Sequence, residues 1–209
     1  MIITDIKKQV NNKNKVSIFV DGKYYNSLFD ETLAASRLKI GDCINDDEFN
    51  RLQLESQKKL SFNKSLDYLA HRIRSTSEVV KYLEKKEYCL EAIDYTIVKL
   101  QEYKYIDDDN FARTLVKDRM NAKGKGKNYI ISDLKKYNIS SQIIQNILEV
   151  YDYDKEYNNA LKIAEKLCKK HAKVEDKYKK KQKISSAMAR AGYDWDTINS
   201  AINEISSDI

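Results

Sequence analysis

The stretch LEKKEYCLEAIDYTI, residues 83–97, reads as the end of one amphipathic helix, a turn, and the start of the next, with apolar residues at Leu83, Tyr88, Ile93 and Ile97. Its steps of five, five and four recur in LKKYNISSQIIQNIL, residues 134–148, at Leu134, Ile139, Ile144 and Leu148. They recur again in MARAGYDWDTINSAI, residues 188–202, at Met188, Tyr193, Ile198 and Ile202. A pattern repeated at roughly fifty-residue intervals marks one supersecondary unit used three times. Within each copy the first residue ends the core stripe of one helix, the second plugs the turn, and the last two begin the stripe of the following helix.

Working outward, each copy is preceded by a further amphipathic helix. It carries Phe62, Leu66, Leu69 and Ile73 in the first copy, and Phe111, Ala112, Leu115 and Val116 in the second. In the third it carries Tyr157, Leu161, Ala164 and Cys168. Each unit is therefore three helices, with roughly nine helices filling residues 61–206. Caps fall where the pattern needs them: Ser75 with Glu78 three residues on, and Asp107-Asp108-Asp109 ahead of the helix bearing Phe111. Proline is absent, so breaks rest on glycine, caps and polar turns.

The start of the chain has a different period. Val16, Ile18 and Val20 alternate with Ser17 and Phe19, Asp21-Gly22 follows, and a second run extends from Lys23 to Phe29. Asp-Gly between such runs is a two-residue hairpin signal, because both turn positions want positive φ. Ile2–Gln9 supplies a third strand. Asp30 is expected to cap a short helix around Glu31–Leu38, with Gly41 as its stop, and Asn45 with Glu48 to cap another ahead of Phe49. The expected fold is mainly α: a small N-terminal β-hairpin or three-strand element plus short helices (1–60), then tandem three-helix repeats at 61–106, 107–152 and 153–209. Repeats stacked end to end predict an elongated, curved body.

Composition sets the class. A third of the 209 residues are charged and 42% are hydrophobic, with no apolar run near the ~18 residues a spanning helix needs. The first residues have neither a basic flank nor an apolar run, which points to the cytoplasm and no membrane partner. Cys43, Cys89 and Cys168 are odd in number and widely spaced, and read as reduced thiols, two of them near helix interiors. The net charge of +6 is concentrated beyond residue 60. One basic run holds Lys117, Arg119, Lys123, Lys125, Lys127, Lys135 and Lys136; another extends from Lys162 to Lys183. Such local fields attract polyanions and acidic protein surfaces.

At this point the residues resemble the RecX family. Tyr68-Leu69-Ala70-His71-Arg72-Ile73-Arg74-Ser75, with Glu78 and Leu83 following, looks like the family's Arg-x-Arg-Ser turn. Tyr105-Ile106-Asp107-Asp108 with Phe111-Ala112 looks like its second landmark, and Arg119 with Lys123-Gly124-Lys125-Gly126 like its arginine and basic glycine turn. Ala191-Gly192-Tyr193-Asp194 is similar to its Arg-Gly-Phe/Tyr turn, with Ala191 in place of the usual basic residue. The likeness covers residues 60–205, and Val20-Asp21-Gly22 resembles the N-terminal extension of Gram-positive members. It implies a non-enzymatic regulator that binds the RecA filament on single-stranded DNA and inhibits ATP hydrolysis, strand exchange and filament growth. Beside the resemblance, the residues themselves lead us to expect no cofactor, a secondary contact of the basic runs with single-stranded DNA, and a monomer.

The candidate contact residues are Arg72, Arg74, Arg119, Lys123, Lys125 and Lys127. Guanidinium groups suit bidentate contact with carboxylate or phosphate. The glycines among the lysines would let the turn approach a partner surface closely. For Arg72 and Arg74, the competing reading is an internal pair with Glu78 or a helix cap. No catalytic or metal constellation emerges. His71 and His171 stand apart, the Asp107–Asp109 triplet lacks the later offsets of a calcium loop, and Gly124–Lys127 lacks the Ser/Thr of a phosphate loop. Two other classes stay open: a helix-turn-helix-like DNA-binding protein, with Gln142, Gln145 and Asn146 as base readers, and a passive helical scaffold.

Overall fold

The protein is described here by a computed structural model covering residues 1–122 and 124–205. Strands β1 (Ile3–Lys8), β2 (Lys15–Val20) and β3 (Lys23–Phe29) form an antiparallel sheet in the order β1-β2-β3. Asp21 and Gly22 close the β2–β3 hairpin with φ of 48° and 78°, the pair of positive values that a twist-matched two-residue turn requires. The alternation expected for β2 puts Val16, Ile18 and Val20 on one buried face, packed with Ile3, Leu28, Ile44 and Phe49.

Ten helices follow among the described residues. Helix α1 spans Asp30–Ser36. It begins one residue earlier than expected: Phe29 is the N-cap, and the Asp30 carboxylate accepts only the N–H of Glu31. Arg37, with φ 58°, ends the helix before Gly41 is reached. Asn45 caps α2 by accepting the Glu48 N–H at 2.7 Å.

The boundary drawn between residues 60 and 61 falls inside a helix, since α2 runs unbroken through 24 residues from Asp46 to Leu69. Serines 61 and 65 fail to interrupt it because both are fully buried with their hydroxyls satisfied. Ser65 donates to the Ser61 carbonyl at 2.8 Å, and Ser61 shares a 2.6 Å hydrogen bond with Thr96 of α4 (Leu90–Glu102). The helix stops at Leu69, so Ile73 lies beyond it and is 48% exposed rather than part of its stripe.

The remaining helices are α3 (Thr76–Lys85), α5 (Asp108–Asn121), α6 (Lys127–Lys136), α7 (Ser141–Glu149), α8 (Tyr153–Lys170), α9 (Lys177–Ala191) and α10 (Trp195–Glu204). The five-residue step of the repeat has one physical cause in all three copies. Glu87, Asn138 and Gly192 take left-handed φ of 62°, 55° and 94° just past the ends of α3, α6 and α9. Their N–H groups bond to the carbonyls of Glu84, Lys135 and Ala189 at 2.8, 3.0 and 3.0 Å. The next N–H groups, of Tyr88, Ile139 and Tyr193, reach back to Leu83, Leu134 and Met188 at 3.4, 3.2 and 3.3 Å. This is the paired termination in which the residue after the left-handed one packs on the last core residue of the helix. Tyr88, Ile139 and Tyr193 are accordingly buried turn plugs.

A left-handed Glu costs about 1–2 kcal/mol relative to glycine. Glu87 is held there by accepting from Asn12 and from Lys15 of the sheet, at 3.0 and 2.8 Å. Asp107 caps α5 as expected, accepting the Asn110 N–H at 3.0 Å.

The chain divides into two compact units, Met1–Ile73 with Glu78–Ile106, and Arg74–Ser77 with the chain from Asp107 on. The first holds the sheet core and a core built on Val79, Leu83, Tyr88, Ile93, Leu100 and Ile106. The second holds one core around Phe111, Leu134 and Ile144, and another around Ala164, Met188 and Ile202. Of the cysteines, only Cys168 is in a helix interior. Cys43 is exposed, and Cys89 stands at the start of α4, where its N–H donates to Gln57 at 2.8 Å. No helix among the described residues is long and apolar enough to cross a membrane.

Candidate functional site

The turn entering α6 gathers three of the expected contact residues. Arg119, in the last turn of α5, has a side chain only 13% exposed. Its Nε donates to Asp133 of α6 at 2.7 Å and its Nη1 to Asp118 at 2.6 Å, while its carbonyl accepts the Lys125 N–H at 2.9 Å. Asp133 is itself 11% exposed at the side chain, so the pair is largely withdrawn from water. Arg119 thus straps the turn to α6, and its fork is occupied by the chain's own carboxylates. Lys123 lies outside the described residues.

The glycines approach a backbone closely, as their spacing implied, but it is the chain's own. Gly126 donates its N–H to the Ala191 carbonyl at 3.0 Å, and Asn128 donates to the Gly192 carbonyl at 3.0 Å. A Cβ on Gly126 would stand 2.5 Å from the Gly192 carbonyl carbon, and one on Gly192 would run into the Cβ and backbone of Tyr129. The Tyr193 hydroxyl donates to the Gly124 carbonyl at 2.8 Å. The basic turn and the Ala191-Gly192-Tyr193 turn therefore dock backbone to backbone. The departure from the family pattern at Ala191 sits in this seam, where a carbonyl, not a side chain, makes the contact.

Glu156 was not legible as part of this arrangement. It is 3% exposed and accepts the Lys127 N–H at 2.6 Å, capping the first turn of α6 from α8. Burial pushes its carboxyl above the usual range, against the opposing pull of the Lys127 N–H and charge, and nearby Asp194 adds to the rise. The signal was there in retrospect: Glu156, Ala160, Ala164 and Cys168 step by four along the buried side of α8.

Between the ordinary carboxylate value and the raised one, the folded state therefore binds more proton than the unfolded chain. Stability should fall as pH rises from the ordinary carboxylate value of 4.5 to the raised one, and the penalty should persist at neutral pH. Glu156→Gln is expected to abolish that decline in urea melts across pH. Glu156→Ala leaves the Lys127 N–H without an acceptor and should lose about 1–3 kcal/mol. Equal pH profiles for the parent and Glu156→Gln would contradict the assignment.

Lys125 and Lys127, both half-buried, lie against aromatic rings. Lys125 Nζ lies 4.6 Å from the Tyr129 ring centroid, and Lys127 Nζ lies 5.2 Å from that of Tyr153 and 3.8 Å from the Asp194 carboxylate. Arg72, in the first unit, makes a two-pronged pair with Glu78, as the competing reading had it, and also donates to the Ile73 carbonyl. Arg74 is half-buried. The second basic run projects from α8 and α9, where Lys162, Lys166, Lys169, Lys170, Lys177, Lys179, Lys181 and Lys183 are exposed and Lys180 is 7% exposed. No metal-holding cluster of His, Cys, Asp or Glu occurs among the described residues.

This chain is 35% identical over 202 residues to the Regulatory protein RecX of Bacillus licheniformis, covering 97% of itself and 76% of that relative. The chain belongs to the RecX family. The RecX N-terminal domain model matches residues 1–45, and the first, second and third RecX three-helix domains match 62–100, 107–148 and 154–202. The Regulatory protein RecX of Bacillus subtilis is 33% identical over 97% of this chain and 76% of its own length. That of Listeria monocytogenes is 32% identical over 100% and 77%.

Among solved structures, a crystal structure of regulatory protein RecX shares the fold at a TM-score of 0.68 and 24% identity, over 99% of this chain and 98% of that one. The crystal structure of RecX from Lactobacillus salivarius matches at 0.67 and 26%, over 73% of this chain and 99% of that one. The mainly helical fold is thus common to these proteins, the first of the two structures matching this chain through its N-terminal sheet as well, and the relatives are named as regulators.

Proposed function

We propose that this RecX-family protein binds the filament that RecA forms on single-stranded DNA and inhibits its ATP hydrolysis, strand exchange and growth, without a catalytic centre or cofactor of its own. The observation that carries this reading is the ordered match of all four RecX domains along the chain. The lysine-rich exposed faces of α8 and α9 support it, since an anionic partner is what such a field selects. The three repeats, bounded at 61–106, 107–152 and 153–209, act as successive contact modules on a cytoplasmic partner, the single strand being a secondary contact and the regulator a monomer.

Within this reading Lys123, Lys125, Lys127 and Arg74 contact the filament, whereas Arg119 and Arg72 hold the elements that present them. The test is RecA ATPase on single-stranded DNA with this protein added at amounts well below RecA. Strong inhibition is expected, and Lys123→Glu with Lys125→Glu should raise the amount needed about tenfold with the far-ultraviolet spectrum unchanged. ATP hydrolysis that never slows would overturn the function; inhibition untouched by the charge reversal would overturn the turn as a contact.

A second reading, direct action on duplex DNA, draws on α7, whose Gln142, Gln145 and Asn146 are exposed. Gln142 donates to Asn146 at 2.9 Å, one turn apart, leaving fewer of their amide groups for base edges. Tight, sequence-dependent duplex binding without RecA would favour it.

A further inference from the structure

The third repeat carries a feature that protein-filament docking does not absorb. Tyr178 and Trp195 are 77% and 66% exposed, the two most solvent-facing aromatic side chains among the described residues. They line one open groove of about 440 Å3 between α9 and α10. Lys181 and Gln182 stand one turn on from Tyr178, Asn199 stands one turn on from Trp195, and the groove has small residues such as Ser186 along it. Helix α9 contains no carboxylate, and its first seven residues hold five lysines, of which Lys177, Lys179, Lys181 and Lys183 are exposed. The neighbouring acid Asp176 is turned to the helix end, where it accepts the Lys179 N–H at 3.1 Å and lies 3.7 Å from the Lys179 ammonium.

We propose that this groove binds a short segment of single-stranded nucleic acid, with unpaired bases stacking on Trp195 and Tyr178 and the strand's phosphates running along the α9 lysines. Large aromatic faces are left in water, with Lys181 in the groove and the lysine-rich start of α9 beside it, outweighing the exposed Asp196 next to Trp195. That is the combination that a single strand rewards, since every base offers a π-face and every linkage a negative charge. A duplex keeps its base faces covered, and an acidic peptide would use the lysines but leave the indole unrewarded. The amides of Gln182 and Asn199 offer donors and acceptors for base edges without demanding one sequence. The inference deepens the filament reading and rests on it for its biological setting, whereas its test uses no recombinase, so the two can fail separately.

Trp195 is the only tryptophan, so its emission reports directly on the groove. Titration of the full chain with oligothymidylate is expected to quench that emission saturably. A duplex of equal length, an abasic strand of equal charge and polyglutamate should each quench far less. By anisotropy of a labelled oligothymidylate, Trp195→Ala and Tyr178→Ala should each weaken binding about tenfold, with Trp195→Phe recovering most of the loss. Because both side chains are exposed, these variants should keep the parent's thermal midpoint. An oligouridylate arm distinguishes the source: equal binding assigns the groove to single strands of either sugar, and preference for oligothymidylate assigns it to DNA. Abasic strand bound as tightly as oligothymidylate, a double alanine variant that binds like the parent, or quenching by polyglutamate equal to that by the oligonucleotide would each overturn the proposal.

Discussion

Gly126→Ala and Gly192→Ala are each expected to lower unfolding stability by about 3–5 kcal/mol, among the largest effects available to a single methyl group. The reason is backbone, not side chain. A Cβ at Gly126 would stand 2.5 Å from the Gly192 carbonyl carbon and 2.6 Å from its oxygen and from the Tyr193 nitrogen, none of which is a flexible end that can swing aside. Relief requires the two turns to separate, and with them go the Gly126 to Ala191 and Asn128 to Gly192 hydrogen bonds.

Gly192 adds a second penalty, because its φ of 94° is one that L side chains rarely adopt. Gly41 is the control: its φ is 96°, yet a Cβ there meets nothing within 4 Å. Gly41→Ala should therefore lose only about 1–2 kcal/mol. Urea unfolding measures all three, and hydrogen exchange at the Gly126 and Asn128 amides should report the seam opening in advance of the rest of the second unit. Equal losses at positions 41 and 192, whose φ values of 96° and 94° nearly coincide, would show that conformation, not docking, is what glycine supplies there.

The second large effect is expected at Arg119. Removing Arg119 leaves the largely buried Asp133 carboxylate facing the exposed Lys136 ammonium at 3.9 Å, a weak replacement, so Arg119→Ala should destabilise by about 3 kcal/mol. Asp133→Ala should do nearly the same, since it leaves the guanidinium with only Asp118, whose side chain is 46% exposed. The double variant should be less destabilised than the sum, the coupling being read from a double-mutant cycle.

This pair of variants also separates two roles. If Arg119 met a partner directly, Asp133→Ala would free its fork and preserve or strengthen inhibition of RecA. If Arg119 positions the turn, both variants should weaken inhibition alike despite their opposite changes in charge. The geometry, with the guanidinium strapped across α5, the turn and α6, favours the second outcome.

Local rules made much of this molecule legible. Asn45 and Asp107 act through side-chain bonds to residues three positions on, and Asp21-Gly22 turns the chain between the paired neighbours Val20 and Lys23, so their meaning survives without the tertiary structure. The five, five, four spacing belongs to the same class. Its first step is a helix termination closed by a hydrogen bond across five residues, and that closure can be made by Glu87 or Asn138 as well as by Gly192. What looked like three sequence signatures is one backbone device with three different residues in the left-handed position.

The failures are equally specific. The helix ahead of Phe49 and the helix carrying Phe62 were expected to be separate, but they are one: Thr96, 35 residues beyond Ser61, satisfies the Ser61 hydroxyl inside an unbroken α2. Arg119 resembled a free guanidinium because Asp133, its partner, is fourteen residues away across a turn. Glu156, on an exposed-looking stretch of charged residues, is buried because the Lys127 N–H needs an acceptor.

By itself, then, the sequence determined the order of the helices from α3 on, the N-terminal hairpin, the repeat and the family, since each rests on hydrogen bonds and hydrophobic spacing within a few turns of chain. Only the tertiary structure decided what the glycines of the basic turn are for and where the charges of Arg119 and Glu156 are spent. Those assignments depend on which distant backbone or carboxylate arrives within three ångströms, and neither period nor composition encodes that distance.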